Sequence, residues 1–403
     1  MKGTLAVRLL TVMTVALTVS MVAYPEPAFK AAVEGLRIWW EIVFPALLPF
    51  FVAAEILMGL GVVHGMGVLL EPLMRPLFNV PGAGSFAMAM GLASGYPLGA
   101  VLAGKLRRKQ LVNKHEAERL VSFTNTADPL FMSGAVAVGM FGEPGVAGVL
   151  MIAHYLASVA VGLLMRFHAP QAPVSPLQTL RRGPLLARAL AELHAAREQD
   201  GRPFGQLMGE AVTRSVQTLL LIGGFIIMFA AIIRILTLTG VVSLLAYGFT
   251  ALLGVLGLNS SLSPALCSGL FEITLGTNLA ARAPALLRDR LIAASVIIAW
   301  SGLSVHAQVA SVNHDTDINM RPYVTARLVH GIIAGLLTGV FLGPLQALTH
   351  LWSVPALAAP AHPTWGAVLA LSAQRCLGAI VLLPCLGLLV CLPRLHRSRG
   401  RRP

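Results

Sequence analysis

The chain has 403 residues, 56% of them hydrophobic and 12% charged, with a mean hydropathy of +0.77. So little polar surface excludes a soluble globule of this size and leaves a polytopic helical membrane protein. The formal charge of +13 gathers in short loops between apolar runs. That is the positive-inside pattern of a membrane protein, and it argues against a nucleic-acid partner.

Taken in order, Leu5 to Ala23 is an apolar run close to the ~20 residues a span needs, and it reads as a retained first helix rather than a cleaved signal. Ile38 to Val62 is a second span and carries Glu55 near its centre. A carboxylate at that depth is either a paired structural acid or a coupling residue. His64 to Val80 mixes Leu and Met with Glu71, Arg75 and prolines, as a helix lying in the interface does.

From Ser85 to Ala103 a Gly- and Ala-rich run breaks at Gly95-Tyr96-Pro97 and ends in Lys105, Arg107, Arg108 and Lys109, which predicts a re-entrant hairpin. The helix from Glu116 breaks at Asn125-Thr126-Ala127-Asp128-Pro129, and Gly145 to Arg166 returns. The polar stretch to Arg214 holds five arginines and reads as a cytoplasmic loop. Val216 to Leu238 and the apolar Val241 to Leu258 follow, then a second hairpin over Ser261 to Ala280. Leu291 to Val312 breaks at Ser301 to His306, and Tyr323 to Leu342 and Ala367 to Leu392 complete the membrane part before an Arg-rich tail.

The two halves echo each other. Phe51 and Phe225, and Ser94 and Ser268, lie 174 residues apart, while Gly162 and Gly335 lie 173 apart. With a hairpin that enters and leaves on one side, each half has three crossings, so the duplicated units are inverted. The fold class expected is therefore all-α, with about eight transmembrane helices plus two re-entrant hairpins in an inverted repeat. The divisions are 1–37, an N-terminal helix and linker; 38–166, the first repeat; 167–210, a basic loop; 211–345, the inverted second repeat; and 346–403, a last helix and basic tail.

In hydrocarbon each unpaired backbone group costs several kcal/mol, so breaks of this kind persist only when buried in protein or lining a wet cavity. The substrate-binding candidates are accordingly Ser94, Gly95, Tyr96, Asn125, Thr126, Ser268, Gly269, Thr274, Ser301, Ser304, His306, Gln308 and Arg327. Coupling or ion candidates are Glu55, Asp128 and Glu272. Asp128 has three readings: a cation ligand, a partner for Lys105 or Arg327, or the N-cap of the second half-helix. Arg327 either snorkels to the interface or serves as the best single cation for a dianion, and His306 either donates to a carboxylate or is a satisfied core histidine.

The four cysteines lie in apolar segments without ligand spacing and read as core thiols, and the Asn313 to Asp317 loop reads as a solvated turn rather than a metal site. No metal or other cofactor is expected, and no catalytic motif is present. The partners expected are a small-molecule solute and the lipid bilayer, with a homo-oligomer left open.

Several motifs together carry a resemblance over most of the chain. They are LLPFF with Glu55, VPGAGSF, SGYPLGA, EAERL with the Asn125 to Pro129 break, HYL at His154, FEIT with Glu272, and GLSVHAQV around Ser304. The sequence resembles the YlbJ-type sporulation integral membrane proteins of the Gate, or nucleoside-recognition, superfamily. One departure is Asp128, which stands where the family pattern has Gly before the proline of the break. The resemblance implies a protein of the cell membrane, specifically the outer forespore membrane, similar to those credited with moving dipicolinic acid. More distant relatives include concentrative nucleoside carriers, so a nucleoside or other small solute is the alternative. A non-transporting sporulation assembly factor is a third reading.

Overall fold

The computed structural model describes residues 2–173, 175 and 184–343, and the described residues contain helices and no strand. The last apolar run, Ala367 to Leu392, lies outside them, as do Cys376, Cys385 and Cys391. Helix α1 spans Lys2–Ala23. The chain then turns by 100° at Tyr24 into α2, Pro25–Ile38, whose N-terminal prolines start a new helix. A π-helical turn at Trp39–Val43 leads without interruption into α3, Phe44–Gly59.

Helix α4, Val62–Leu73, leads by another π turn to α5, Gly84–Ser94, and α6, Leu98–Arg108. Helix α7, Lys114–Thr124, starts at a capping box in which Asn113 and Glu116 bond each other's backbone N–H. Asn125 to Asp128 is non-helical, and a π-helical segment, Phe131–Met140, precedes α8, Ala147–Met165. Inside the expected basic loop lies a helix, α9, Leu185–Asp200, ended by Gly201 at φ 62°. It packs on α4, where Arg188 meets Glu71 at 2.6 Å, and Gly61 and Gly65 let the two backbones approach.

The elements from Pro25 onward then recur in order. Helix α10, Phe204–Leu238, has 35 residues and matches α2 through α3; α11, Val241–Val255, matches α4. Helices α12, Ser263–Phe271, and α13, Ile273–Arg282, match the hairpin α5–α6. Helices α14, Leu287–Trp300, and α15, Gly302–Val312, match the broken helix, and α16, Met320–Phe341, matches α8. The second break is tighter than the sequence suggests. It is confined to Ser301 and Gly302, at φ 71° and 76°, while Leu303 to His306 is helical.

Contacts at the two ends show that the units are inverted. The open end of hairpin α5–α6 meets the end of α15, where Arg107 bonds Asp317 at 2.8 Å and Arg108 bonds Asp315 at 2.6 Å. The Asn313 to Asp317 turn is thus ion-paired to the other unit. The open end of hairpin α12–α13 meets the far end of the first broken helix. There Arg290 donates to the Ala281 carbonyl at 2.6 Å and lies over the Phe141 ring. The broken helices therefore run in opposite directions and the hairpins enter from opposite ends.

Among the described residues four helices are long and apolar enough to cross a membrane: Pro144–Met165, Phe204–Leu238, Leu287–Val312 and Met320–Phe341. The pair Thr11–Ala23 with Pro25–Val43 passes the same test when its two limbs, bent by 100°, are taken together. Helix α10 and the continuous run of α2 through α3 cross closely, since the Trp39 indole donates to the Leu219 carbonyl at 2.9 Å against Gly223. Such small-residue contacts replace the hydrophobic drive that lipid does not provide.

Candidate functional site

Each hairpin tip lies against a helix break. A Cβ at Gly95 would meet the Asp128 side chain, and one at Gly302 would meet the backbone of Phe271 and Glu272. Within each hairpin the limbs close on glycine. Gly91 and Gly99 leave room for the Thr124 carbonyl, and Gly276 lies on the backbone of Gly269.

Backbone groups freed at the first break are bonded from two other elements, α8 and α16, as burial in an apolar setting demands. Arg327 on α16 donates to the Asn125 carbonyl at 2.6 Å, the Ala127 N–H donates to His154 Nε2 at 3.1 Å, and the Tyr155 hydroxyl donates to the Ala127 carbonyl at 3.1 Å. The Asn125 side chain donates to the Tyr323 hydroxyl at 2.9 Å, and Thr126 donates to the Gly91 carbonyl at 3.1 Å. Tyr96 ties the first hairpin tip to the second broken helix by donating to the Ile298 carbonyl at 3.0 Å.

Arg327 is fully buried, so it does not snorkel. Its guanidinium also reaches the Tyr96 hydroxyl at 3.2 Å and His330 Nδ1. His330 gives its other N–H to the His154 carbonyl at 2.9 Å, which fixes it as a neutral acceptor toward Arg327. His330 stood unremarked in the sequence as a lone His in an apolar run. Its partners come from α8 and from its own helix, so nothing local in the sequence marks it.

The tips and breaks enclose a cleft. Its walls include Tyr96, Asp128, Glu272, Thr274, Ser304 and Gln308 from the predicted set, with Val43, Leu47, Phe51, Phe131, Ile222 and Phe225 as apolar lining. Empty space within it, mouth included, is ≈ 530 Å³. Of that, ≈ 50 Å³ admits the centre of a water molecule, room for about four waters at 10–15 Å³ each. A larger solute enters only as side chains move.

Both acids cap half-helices. Asp128 accepts from the N–H groups of Leu130 at 2.9 Å and Phe131 at 2.7 Å, and Glu272 accepts from Leu275 at 2.7 Å. Asp128 thus takes the third of its predicted roles and has no ion pair with Lys105 or Arg327 among the described contacts. The half-helix N-termini, which would otherwise face an anion, are occupied by the protein's own carboxylates.

The other predicted residues are not part of the cleft's lining. Ser94 Oγ is buried without a partner, Ser301 Oγ bonds the Trp300 carbonyl, and the Ser268 carbonyl accepts from the Glu272 N–H. Gly269 packs on Ile297, and Glu55 lies one turn beyond the lining residue Phe51. His306 has one ring nitrogen bonded within the protein and one not. Its Nδ1 donates to the Gly302 carbonyl at 2.6 Å, so the neutral ring turns an acceptor, the buried and unpartnered Nε2, toward its surroundings. The ring packs on Trp300 and Tyr323. Ser304 Oγ is likewise buried without a partner.

Opposed hairpins meeting inverted helix breaks at one acid-bearing cleft define a polytopic helical membrane protein, and a family model described as "Gate: Nucleoside recognition" matches residues 40–143. The chain belongs to the family of the sporulation integral membrane protein YlbJ of Bacillus subtilis (strain 168), to which it is 44% identical over 339 residues, covering 83% of this chain and 82% of that one. It is an integral membrane protein. Solved structures that overlap it loosely include CNTnw in an inward-facing substrate-bound state, at a TM-score of 0.43 and 15% identity over 81% of this chain and 85% of that one. A double variant of CNTnw in an outward-facing state overlaps at 0.41 and 13% identity over 85% of each chain.

Proposed function

We propose that this protein is a transporter, carrying a small solute through the cleft where the hairpin tips and helix breaks meet. The observation that carries the reading is that convergence, with unpartnered polar atoms of Ser304 and His306 in and beside the cleft. Two oppositely directed sets of broken elements around one site are what alternating access requires. The family resemblance puts dipicolinic acid first as the solute. Since Asp128 and Glu272 face the cleft and no cation lines it among the described residues, a dicarboxylate would travel protonated or with an accompanying cation.

The same acceptor-rich lining favours a second reading, a nucleoside or other solute that presents hydroxyl and N–H donors. Purified protein in proteoliposomes, loaded in separate preparations with labelled dipicolinate and labelled nucleoside and challenged with the other class unlabelled, separates the two. Dipicolinate flux that is insensitive to nucleosides supports the first, and flux only of nucleosides supports the second. Absence of flux for either class, with protein correctly inserted, supports the assembly-factor reading instead.

A further inference from the structure

At the end of the molecule that carries the Arg107 and Arg108 ion pairs, three side chains converge away from the cleft. His115 Nδ1 lies 3.1 Å and His168 Nε2 2.7 Å from the same atom, Glu118 Oε2. All three ligand atoms lie within 4.8 Å of one another. His115 and Glu118 are one turn apart on α7, and His168 arrives from the turn after α8.

The framework holds these groups in place. The buried Arg119 guanidinium donates to the His168 carbonyl from Nε at 3.1 Å and from Nη2 at 2.6 Å, and to the Ala169 carbonyl at 3.0 Å, pinning the turn at its left-handed residue, Ala169. Glu118 is buried, and its second oxygen accepts the Asn319 N–H at 3.1 Å just before α16. The side chains of His115 and His168 remain 38% and 27% exposed, which leaves a path for an ion and a solvent ligand.

We propose that His115, Glu118 and His168 form a binding site for a zinc-class divalent transition metal. Two imidazoles and one carboxylate, with water as fourth ligand, is a donor set that tetrahedral zinc takes. Ligand atoms of such a site lie about 3.3 Å apart when the bonds are about 2.0 Å, close to the 3.1 and 2.7 Å that separate the two histidine nitrogens from Glu118. Magnesium and calcium demand more oxygen ligands than the cluster offers. Bound metal would replace the two hydrogen bonds now converging on Glu118 and tie α7, the turn after α8 and the start of α16 into one unit.

The full chain, purified in detergent and stripped of metal, is titrated with zinc by calorimetry and with cobalt by visible absorption. The site predicts one tight zinc per chain, four-coordinate cobalt bands, and no competition by calcium. His115→Ala and His168→Ala should each weaken zinc at least about 100-fold, at or beyond the upper end of what losing an outer-shell partner costs. Zinc affinity unchanged in both variants, or cobalt bands typical of an all-oxygen six-coordinate ion in the unmodified chain, would overturn the assignment. The cobalt spectrum decides even if a variant does not fold.

Discussion

Arg327 and Asn125 lie 202 positions apart, yet the guanidinium of one holds the backbone carbonyl of the other at 2.6 Å. The bond joins α16 of the second unit to the break of the first, and it does so with a side chain that has no exposure to solvent. Replacing Arg327 by Gln leaves that carbonyl without its charged donor. Hydrogen bonds to charged groups contribute roughly 1.5–3 kcal/mol each, so a loss of stability in that range is expected. Thermal unfolding in detergent checks it, and Arg327→Lys, which can reach one of the acceptors, should fall between the two.

The caps at Asp128 and Glu272 separate structure from charge. An Asn at position 128 keeps an oxygen for the Leu130 and Phe131 N–H groups, whereas Ala does not. Asp128→Ala should cost about 1 kcal/mol, the typical loss at an N-cap, and Asp128→Asn much less. If the carboxylate charge serves coupling, Asp128→Asn and Glu272→Gln alter the pH dependence of flux while their unfolding temperatures stay near that of the parent. Flux measured across a pH series provides the comparison.

Glycines at the hairpins are set by close approach. A Cβ at Gly91 or Gly99 would press on the Thr124 carbonyl, while one at Gly224 on α10 would meet nothing within 4 Å. Gly91→Ala and Gly99→Ala should therefore each destabilise by about 1–3 kcal/mol, the usual cost of overpacking. Gly224→Ala should be neutral or slightly stabilising, since Ala is the better helix former. Unfolding temperatures of the three variants give the test.

How the chain announces this fold follows from which signals are local. Gly95-Tyr96-Pro97 and Asn125 to Pro129 mark interruptions because clustered Gly, Pro, Asn and Asp favour turns over helix, and the steady offset of 173 to 174 residues marks the duplication. The α9 helix was also legible: LLARALAELHAAREQ is rich in strong helix formers and ends at Gly201, but its arginines suggested a loop. What sequence could not show is pairing at long range. Arg327 looked like an interfacial cation because its burial depends on acceptors from other elements, Asn125 and Tyr96, as well as on His330 one turn along its own helix. The partner of His306 was equally out of sight, because its Nδ1 bond to the Gly302 carbonyl depends on the turn at Ser301 and Gly302.

The ion pairs at the open end of the first hairpin carry a pH signature. Hydrogen bonding to Arg107 holds the Asp317 carboxyl below its usual range, and Arg108 does the same for Asp315. A carboxyl whose pKa is lower in the folded state stabilises fully above its unfolded pKa, and the contribution disappears as pH falls through the folded value. With unfolded aspartate near pH 3.9, the clamp between α6 and α15 should be intact above about pH 5 and weaken below about pH 3.5. The unfolding temperature of the parent should exceed that of an Asp315→Asn, Asp317→Asn double variant at neutral pH. The difference should shrink on acidification and at high salt, because both pairs are partly exposed.

The central claim, that solute passes through the cleft between the hairpin tips, is tested most directly at Ser304, whose buried oxygen lines that cleft without a partner. In a background where the four native cysteines are replaced by alanine, Ser304→Cys is treated with a small thiol reagent in proteoliposomes while labelled solute flux is followed. The account predicts that modification stops flux, that transported solute slows modification, and that Val255→Cys on the 86% exposed end of α11 shows neither effect. Undiminished flux after complete modification of Ser304→Cys, with no protection by solute, would contradict it.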